Sequence, residues 1–156
     1  RRRLSEVVDY MMLMAYDQHW AGSPVAGSVA EYDWVENSIL GVLKYIPNDK
    51  LVLGIPFYTR LWIEKDGKLT SQAISMEKAN QFIKDNNVEL VWDERALQYY
   101  GELKKDNAVY KIWIENAQSL EAKASLIHKY DLAGIASWRK GFETEDIWVS
   151  LERILY

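Results

Sequence analysis

Residues 7–16 (VVDYMMLMAY) form a nearly unbroken apolar run. Apolar residues at consecutive positions, with no period-2 alternation, describe a strand buried on both faces, the habit of parallel sheets. A polar loop with Gly22, Pro24 and Gly27 follows. Ser28, with Glu31 three residues later, then reads as the N-cap of a helix with a capping box. Tyr32, Val35, Ile39, Leu43 and Ile46 recur at helical spacing, and Pro47-Asn48 closes the element. Residues 51–57 (LVLGIPF) are a second buried strand. Strand, helix and strand at these lengths make a β/α unit of a parallel sheet.

The middle of the chain has a different grammar. Asp66-Gly67 between two short polar-apolar runs is a hairpin signal. Ser75 is placed to cap a short helix carrying Met76, Ala79, Phe82 and Ile83, which stops at Asn86-Asn87. Residues 88–92, the region of Tyr99-Tyr100, and residues 109–114 read as antiparallel strands, with Asp106-Asn107 as a turn. The parallel pattern then returns. Ser119 reads as the cap of a helix carrying Leu120, Ala124, Ile127 and Tyr130. Residues 132–138 (LAGIASW) are a third buried strand. A last helix from about Thr144 is expected to turn Ile147, Leu151, Ile154 and Leu155 inward.

The fold expected is therefore α/β. Residues 1–60 and 115–156 supply three parallel β/α units, and residues 61–114 form a small α+β insertion between the second and third strands. Three parallel strands cannot close a barrel, so their outer members are bare edges. That implies a fragment, with self-association or pairing with a complementary piece as its consequence.

Composition narrows the partners. A net charge of −4 argues against nucleic acid, which calls for a basic surface; the one strong basic run, Arg1 to Arg3, reads as a solvated terminus. No cysteine is present, which excludes disulfides and thiolate zinc sites. His19 and His128 stand far apart with no third ligand in view, so no metal is expected. No apolar stretch approaches the roughly 20 residues of a membrane span. Seven Trp and ten Tyr stand beside three Phe. Trp and Tyr join a flat apolar face to a polar handle, which suits a sugar-binding cleft, a protein interface or an aromatic core.

Three segments carry a family likeness, in order. Leu13-Met14-Ala15-Tyr16-Asp17 resembles the end of the sixth strand of the family 18 glycoside hydrolase barrel. Gly54-Ile55-Pro56-Phe57-Tyr58-Thr59-Arg60 resembles the end of the seventh, and Gly134-Ile135-Ala136-Ser137-Trp138 the eighth. The Asp-Gln-His-Trp after Tyr16, together with Trp113-Ile114-Glu115 and Ser137-Trp138-Arg139, looks most like bacterial spore-cortex and germination hydrolases. The resemblance implies a partial (β/α)8 TIM barrel, formed from its last three units.

The resemblance also implies a chemistry. Family 18 enzymes hydrolyse β-1,4-linked N-acetylglucosamine glycans, chitin or peptidoglycan, with retention. The substrate's own N-acetyl oxygen is the nucleophile, and no cofactor is needed. The implied general acid closes an Asp-x-x-Asp-x-Asp-x-Glu motif, which this sequence does not contain. By resemblance, Tyr16 orients the N-acetyl group, Asp17 accepts hydrogen bonds from the sugar or helps the general acid's network, and Trp138 floors the subsite of the distorted sugar. Met14 would pack beneath the reacting centre, with Tyr58 and Arg60 lining the cleft. Trp62, Trp113, Glu115 and Gln18 would extend the binding surface. Each has a plainer reading as well: core packing for Met14, Tyr16 and the tryptophans, loop capping for Asp17, an ion pair for Arg60. The alternative for the whole is a non-catalytic glycan-binding relative. The implied location is the bacterial surface, the exterior or the spore envelope. This chain by itself is expected to be inactive.

Overall fold

The computed structural model describes residues 2–155, so Arg1 of the basic run lies outside the described residues. A short helix, α1 (Arg2–Ser5), precedes strand β1 (Met11–Met14). The apolar run thus yields only four strand residues. Helix α2 (Tyr32–Leu43) follows, then a 3-10 turn (Asn48–Lys50) and β2 (Leu51–Pro56). Next come β3 (Tyr58–Lys65), β4 (Lys68–Ser75), α3 (Met76–Asn86), β5 (Leu90–Asp93), β6 (Gln98–Lys105) and β7 (Ala108–Ile114). Helices α4 (Ala117–Ala124) and α5 (Leu126–Lys129), strand β8 (Gly134–Trp138) and helix α6 (Asp146–Leu155) complete the chain.

Two sheets divide the strands. β1, β2 and β8 form a parallel sheet in the order β1-β2-β8. Leu51, Leu53, Ile55 and Phe57 are buried under Val35, Ile39, Leu120, Ile127, Ile147 and Leu151 from the flanking helices. The sequence between β2 and β8 folds as a five-stranded antiparallel sheet, β4-β3-β7-β6-β5. Its two tight hairpins use Asp66-Gly67 and Asp106-Asn107, all four at positive φ, as two-residue primed turns require. Helix α3 closes one face, with Ala79 buried and Ile83 packed against Ile74, Ile112 and Ile114.

Two helix starts differ from the sequence reading. Ser28 is not the cap of α2: Glu31 holds that position, and the Ser28 hydroxyl accepts from the Ala30 N–H and donates to Gln98. A buried amide partner from β6, remote in sequence, outcompetes the local cap. At α4 the cap is Asn116, whose side chain accepts from Ser119 N while the Ser119 hydroxyl accepts from Asn116 N. Ser119 is therefore the last residue of that capping box, the third of the helix, and not its cap. Ser75 caps α3 as expected, and Asn87 ends it in the left-handed conformation. On α6, Ile147 and Leu151 are buried, but Leu155 is exposed.

Candidate active site

The C-terminal ends of β1, β2 and β8 bring the central residues together. Gly54 makes the approach possible: a Cβ there would lie 2.8 Å from the Leu13 carbonyl and 3.3 Å from the Tyr16 ring. Past β1 the chain turns at Asp17, whose φ of 60° is a conformation that Asp tolerates better than most residues. Tyr58 is 5% exposed and donates its hydroxyl to Asp17 Oδ1 at 2.6 Å. The Tyr16 and Tyr58 rings meet edge to face with centroids 6.3 Å apart. Pro56 pairs with Trp138, and the Phe57 N–H donates to the Trp138 carbonyl at 2.6 Å, so β2 fixes the backbone of the tryptophan. The peptide bond after Trp138 is cis, and its indole is 56% exposed.

Burial sets the electrostatics. Desolvation, reinforced by the negative charge of Asp17, holds the Tyr16 hydroxyl above the ordinary phenol value. Tyr58 is shifted further in the same direction, by burial first and by its hydrogen bond to Asp17 second. Both phenols therefore remain protonated donors at neutral pH. Arg60 donates from Nη1 to Ser71 Oγ at 2.9 Å, and its buried Nε has no hydrogen-bond partner among the described residues. Met14 is 64% exposed at the end of β1, an edge strand of the parallel sheet.

Other candidates fall elsewhere. Glu115 cannot meet a sugar hydroxyl: it is fully buried, and its carboxylate accepts from Lys123 Nζ at 2.5 Å, Gln98 Nε2 at 2.8 Å and Ser119 Oγ at 2.7 Å. Trp62 offers no binding face either. It is 1% exposed beneath the loop after β1, its indole N–H donating to the Gly27 carbonyl at 2.9 Å. Gln18 commits its amide to Glu31, donating to Oε2 and accepting from the backbone N–H, each at 2.9 Å. Trp113 is half-buried beside Tyr100, ring centroids 4.7 Å apart, and donates to Asp93 Oδ2.

Sequence reasoning missed a groove of about 400 Å³ beside that aromatic pair, with Pro24, Val25 and Ala26 as one wall and Glu64, Glu102 and Lys111 along its rim. The alternation of Tyr100 with Glu102, and of Lys111 with Trp113, was the available signal. The loop that forms the opposite wall left none. Gln98 and Lys123, which hold Glu115, were missed as well.

Tyr16, Asp17, Tyr58 and Trp138 thus gather at the C-terminal ends of parallel strands, the face on which α/β barrels carry their active sites. Residues 2–143 match the model of glycosyl hydrolases family 18, and the chain belongs to that family. It is 28% identical over 153 residues to the cortical fragment-lytic enzyme of Bacillus subtilis, covering 96% of this chain and 35% of that protein. Identity to the uncharacterized glycosylase YvbX of the same organism is 27% over 154 residues, covering 97% and 44%. The chitinase structure from Chromobacterium violaceum superimposes with a TM-score of 0.87 at 26% identity, over 99% of this chain and 48% of that one. The chain thus spans less than half the length of these relatives.

Proposed function

We propose that this chain is the substrate-holding part of a retaining glycoside hydrolase acting on β-1,4-linked N-acetylglucosamine glycans, peptidoglycan or chitin. The observation that carries the reading is the Tyr16–Asp17–Tyr58 cluster beside an exposed Trp138, where three neighbouring parallel strands end. In this account residues 1–60 and 115–156 are the last three units of a (β/α)8 barrel, and residues 61–114 are its insertion. The parent protein then works outside the cell or in the spore envelope. Its relatives include a cortical fragment-lytic enzyme, which supports that location.

Each residue has a role in the chemistry. Trp138 offers its flat face to the apolar side of the sugar at the reacting centre. Tyr16 donates to the N-acetyl carbonyl oxygen, aligning it for attack on the anomeric carbon, and its raised pKa keeps that donor present. Attack expels the leaving-group oxygen and forms a cyclic oxazolinium, which water reopens with net retention. Tyr58 holds Asp17 in place to stabilise the developing positive charge on the amide nitrogen. Arg60 Nε is a free buried donor at the cleft wall. The proton for the leaving group comes from a carboxylic acid supplied outside this chain.

Two consequences concern the chain in isolation. It is inactive without that acid. It also self-associates, because among the described residues β1 and β8 each pair only with β2 and expose Met12, Met14 and Trp138. The test is hydrolysis of a chromogenic chito-oligosaccharide by the isolated chain and by the complete protein. Cleavage by the complete protein alone supports the reading. Cleavage by the isolated chain refutes the external acid, and binding without cleavage by the complete protein favours a lectin-like relative.

A further inference from the structure

Five buried polar side chains form a network that the reacting centre does not use. Lys123 Nζ and Ser119 Oγ donate to the Glu115 carboxylate. Gln98 Nε2 donates to the same carboxylate at 2.8 Å and to the Ile114 carbonyl at 3.3 Å. The side-chain oxygen of Gln98 accepts from the Ser28 hydroxyl, which itself accepts from the Ala30 N–H at 3.0 Å. Helix α4, strand β6 and the loop after β1 are thereby joined through their interiors.

The charged end dictates the direction of every bond. A carboxylate paired with an ammonium only accepts, so Gln98 must turn its NH2 group toward Glu115. Its oxygen then faces Ser28, whose hydroxyl has to donate. Turning the amide over would set its oxygen against the carboxylate. Gln98 therefore has one satisfied orientation, and a fully satisfied buried network of this kind is rigid.

What the network grips is the return arm of the loop that begins at Asp17. The outgoing arm is tied to that return arm at three places. Gln18 N–H donates to the Val29 carbonyl at 2.8 Å, the Gln18 side chain exchanges two bonds with Glu31, and His19 Nδ1 meets the Ser28 carbonyl at 2.8 Å. Asp17 is exposed and has no packing of its own to fix it. Its aim depends on Tyr58 at the carboxylate and on the backbone that Gln18 continues.

We propose that Gln98, acting through Ser28, is a positioning residue for glycan hydrolysis: it touches no sugar and holds the loop that aims Asp17. The inference rests on the proposed function and adds to it a residue that works on the reacting centre from inside the insertion. A displacement of about 1 Å in a group that must meet the transition state is enough to slow turnover by one to two orders of magnitude.

Steady-state hydrolysis of a chromogenic chito-oligosaccharide by the complete protein provides the test. Ser28→Ala cuts the link at the loop, and Gln98→Met cuts it from the sheet. Each lowers kcat by about tenfold with KM changed by less than about twofold. The decisive comparison repeats Ser28→Ala in an Asp17→Asn background, where the loss disappears because the aimed group is already gone. Thermal unfolding identifies which variants fold, and either one, placed in both backgrounds, is sufficient for the comparison. An unchanged kcat in a folded variant, or the same loss with and without the Asp17 carboxylate, overturns the positioning role and leaves the reacting centre standing. A wild-type protein that hydrolyses no chito-oligosaccharide overturns the proposed function and this role with it.

Discussion

Tyr58 donates its hydroxyl to Asp17 Oδ1 at 2.6 Å, joining the chain just past β2 to the loop just past β1. The two residues lie 41 positions apart, and the parallel pairing of Met14 with Gly54 is what brings their segments level. One partner is buried and the other exposed, which separates the energetic roles of the bond from its geometric one.

Tyr58→Phe keeps the buried ring and removes the hydroxyl. The exposed Asp17 recovers water when the bond is lost, so stability falls by no more than about 1 kcal/mol. Asp17 loses its orientation, however, and kcat of the complete enzyme drops by about tenfold or more. Thermal unfolding measured beside steady-state kinetics checks the pairing of a small stability change with a large rate change. An unchanged kcat would show that Asp17 needs no such anchor.

Tyr16→Phe removes the proposed donor to the N-acetyl oxygen. A donor aimed at charge that develops in the transition state is worth on the order of 10²-fold in kcat, with little effect on KM. Chitobiose derivatives whose leaving group needs no protonation isolate this step from the general acid. A loss confined to KM would make Tyr16 a ground-state contact and not a catalytic one.

The same phenols set the alkaline limit. Both hold their protons more tightly in the folded chain than in the unfolded one, Tyr58 mainly through burial. Above the ordinary phenol value of 10.0, the unfolded state releases protons that the native state retains. Stability is therefore full below that pH and declines as pH rises further. Denaturant midpoints taken across the alkaline range fall more steeply for wild type than for Tyr58→Phe, and tyrosinate absorbance in the native protein lags behind that of the unfolded chain.

How much of this was legible beforehand follows from what local pattern encodes. The buried strand β2, the primed turns at Asp66-Gly67 and Asp106-Asn107, and the Ser75 cap all rest on neighbouring residues, and all were readable. The first and third strands read as buried too, but β1 and β8 are the edges of the parallel sheet and leave Met12, Met14 and Trp138 exposed. So was the gathering of Tyr16, Asp17, Tyr58 and Trp138 at strand ends, since their motifs sit at the close of apolar runs. What failed depended on partners distant in sequence. Trp62 has the alternation of a cleft residue, but nothing local announces the loop at Gly27 that covers it. Ser28 looks like a cap until Gln98, 70 residues on, claims its hydroxyl. Glu115 follows a strand and ought to meet solvent, yet Lys123 from the next helix turns inward to meet it.

That last pair makes the sharpest stability prediction. Glu115 and Lys123 are fully buried, and burial pushes each toward its neutral form, raising the carboxyl and lowering the ammonium. Their 2.5 Å contact, with Gln98 and Ser119 completing the carboxylate, offsets that penalty. Lys123→Met keeps the volume and strands a buried carboxylate, which costs about 3–5 kcal/mol. The double variant Glu115→Leu with Lys123→Met loses less than the single one, because no charge is left unpaired. The single variant carries its own pH signature. Without the ammonium, the Glu115 carboxyl rises further above its ordinary 4.5, so the folded state binds a proton that the unfolded state gives up. Its deficit against wild type therefore narrows as pH falls toward 4.5 and widens as pH rises. Chemical denaturation of the three proteins at acid and neutral pH measures both effects, and a deficit independent of pH would mean that the pair contributes by packing alone.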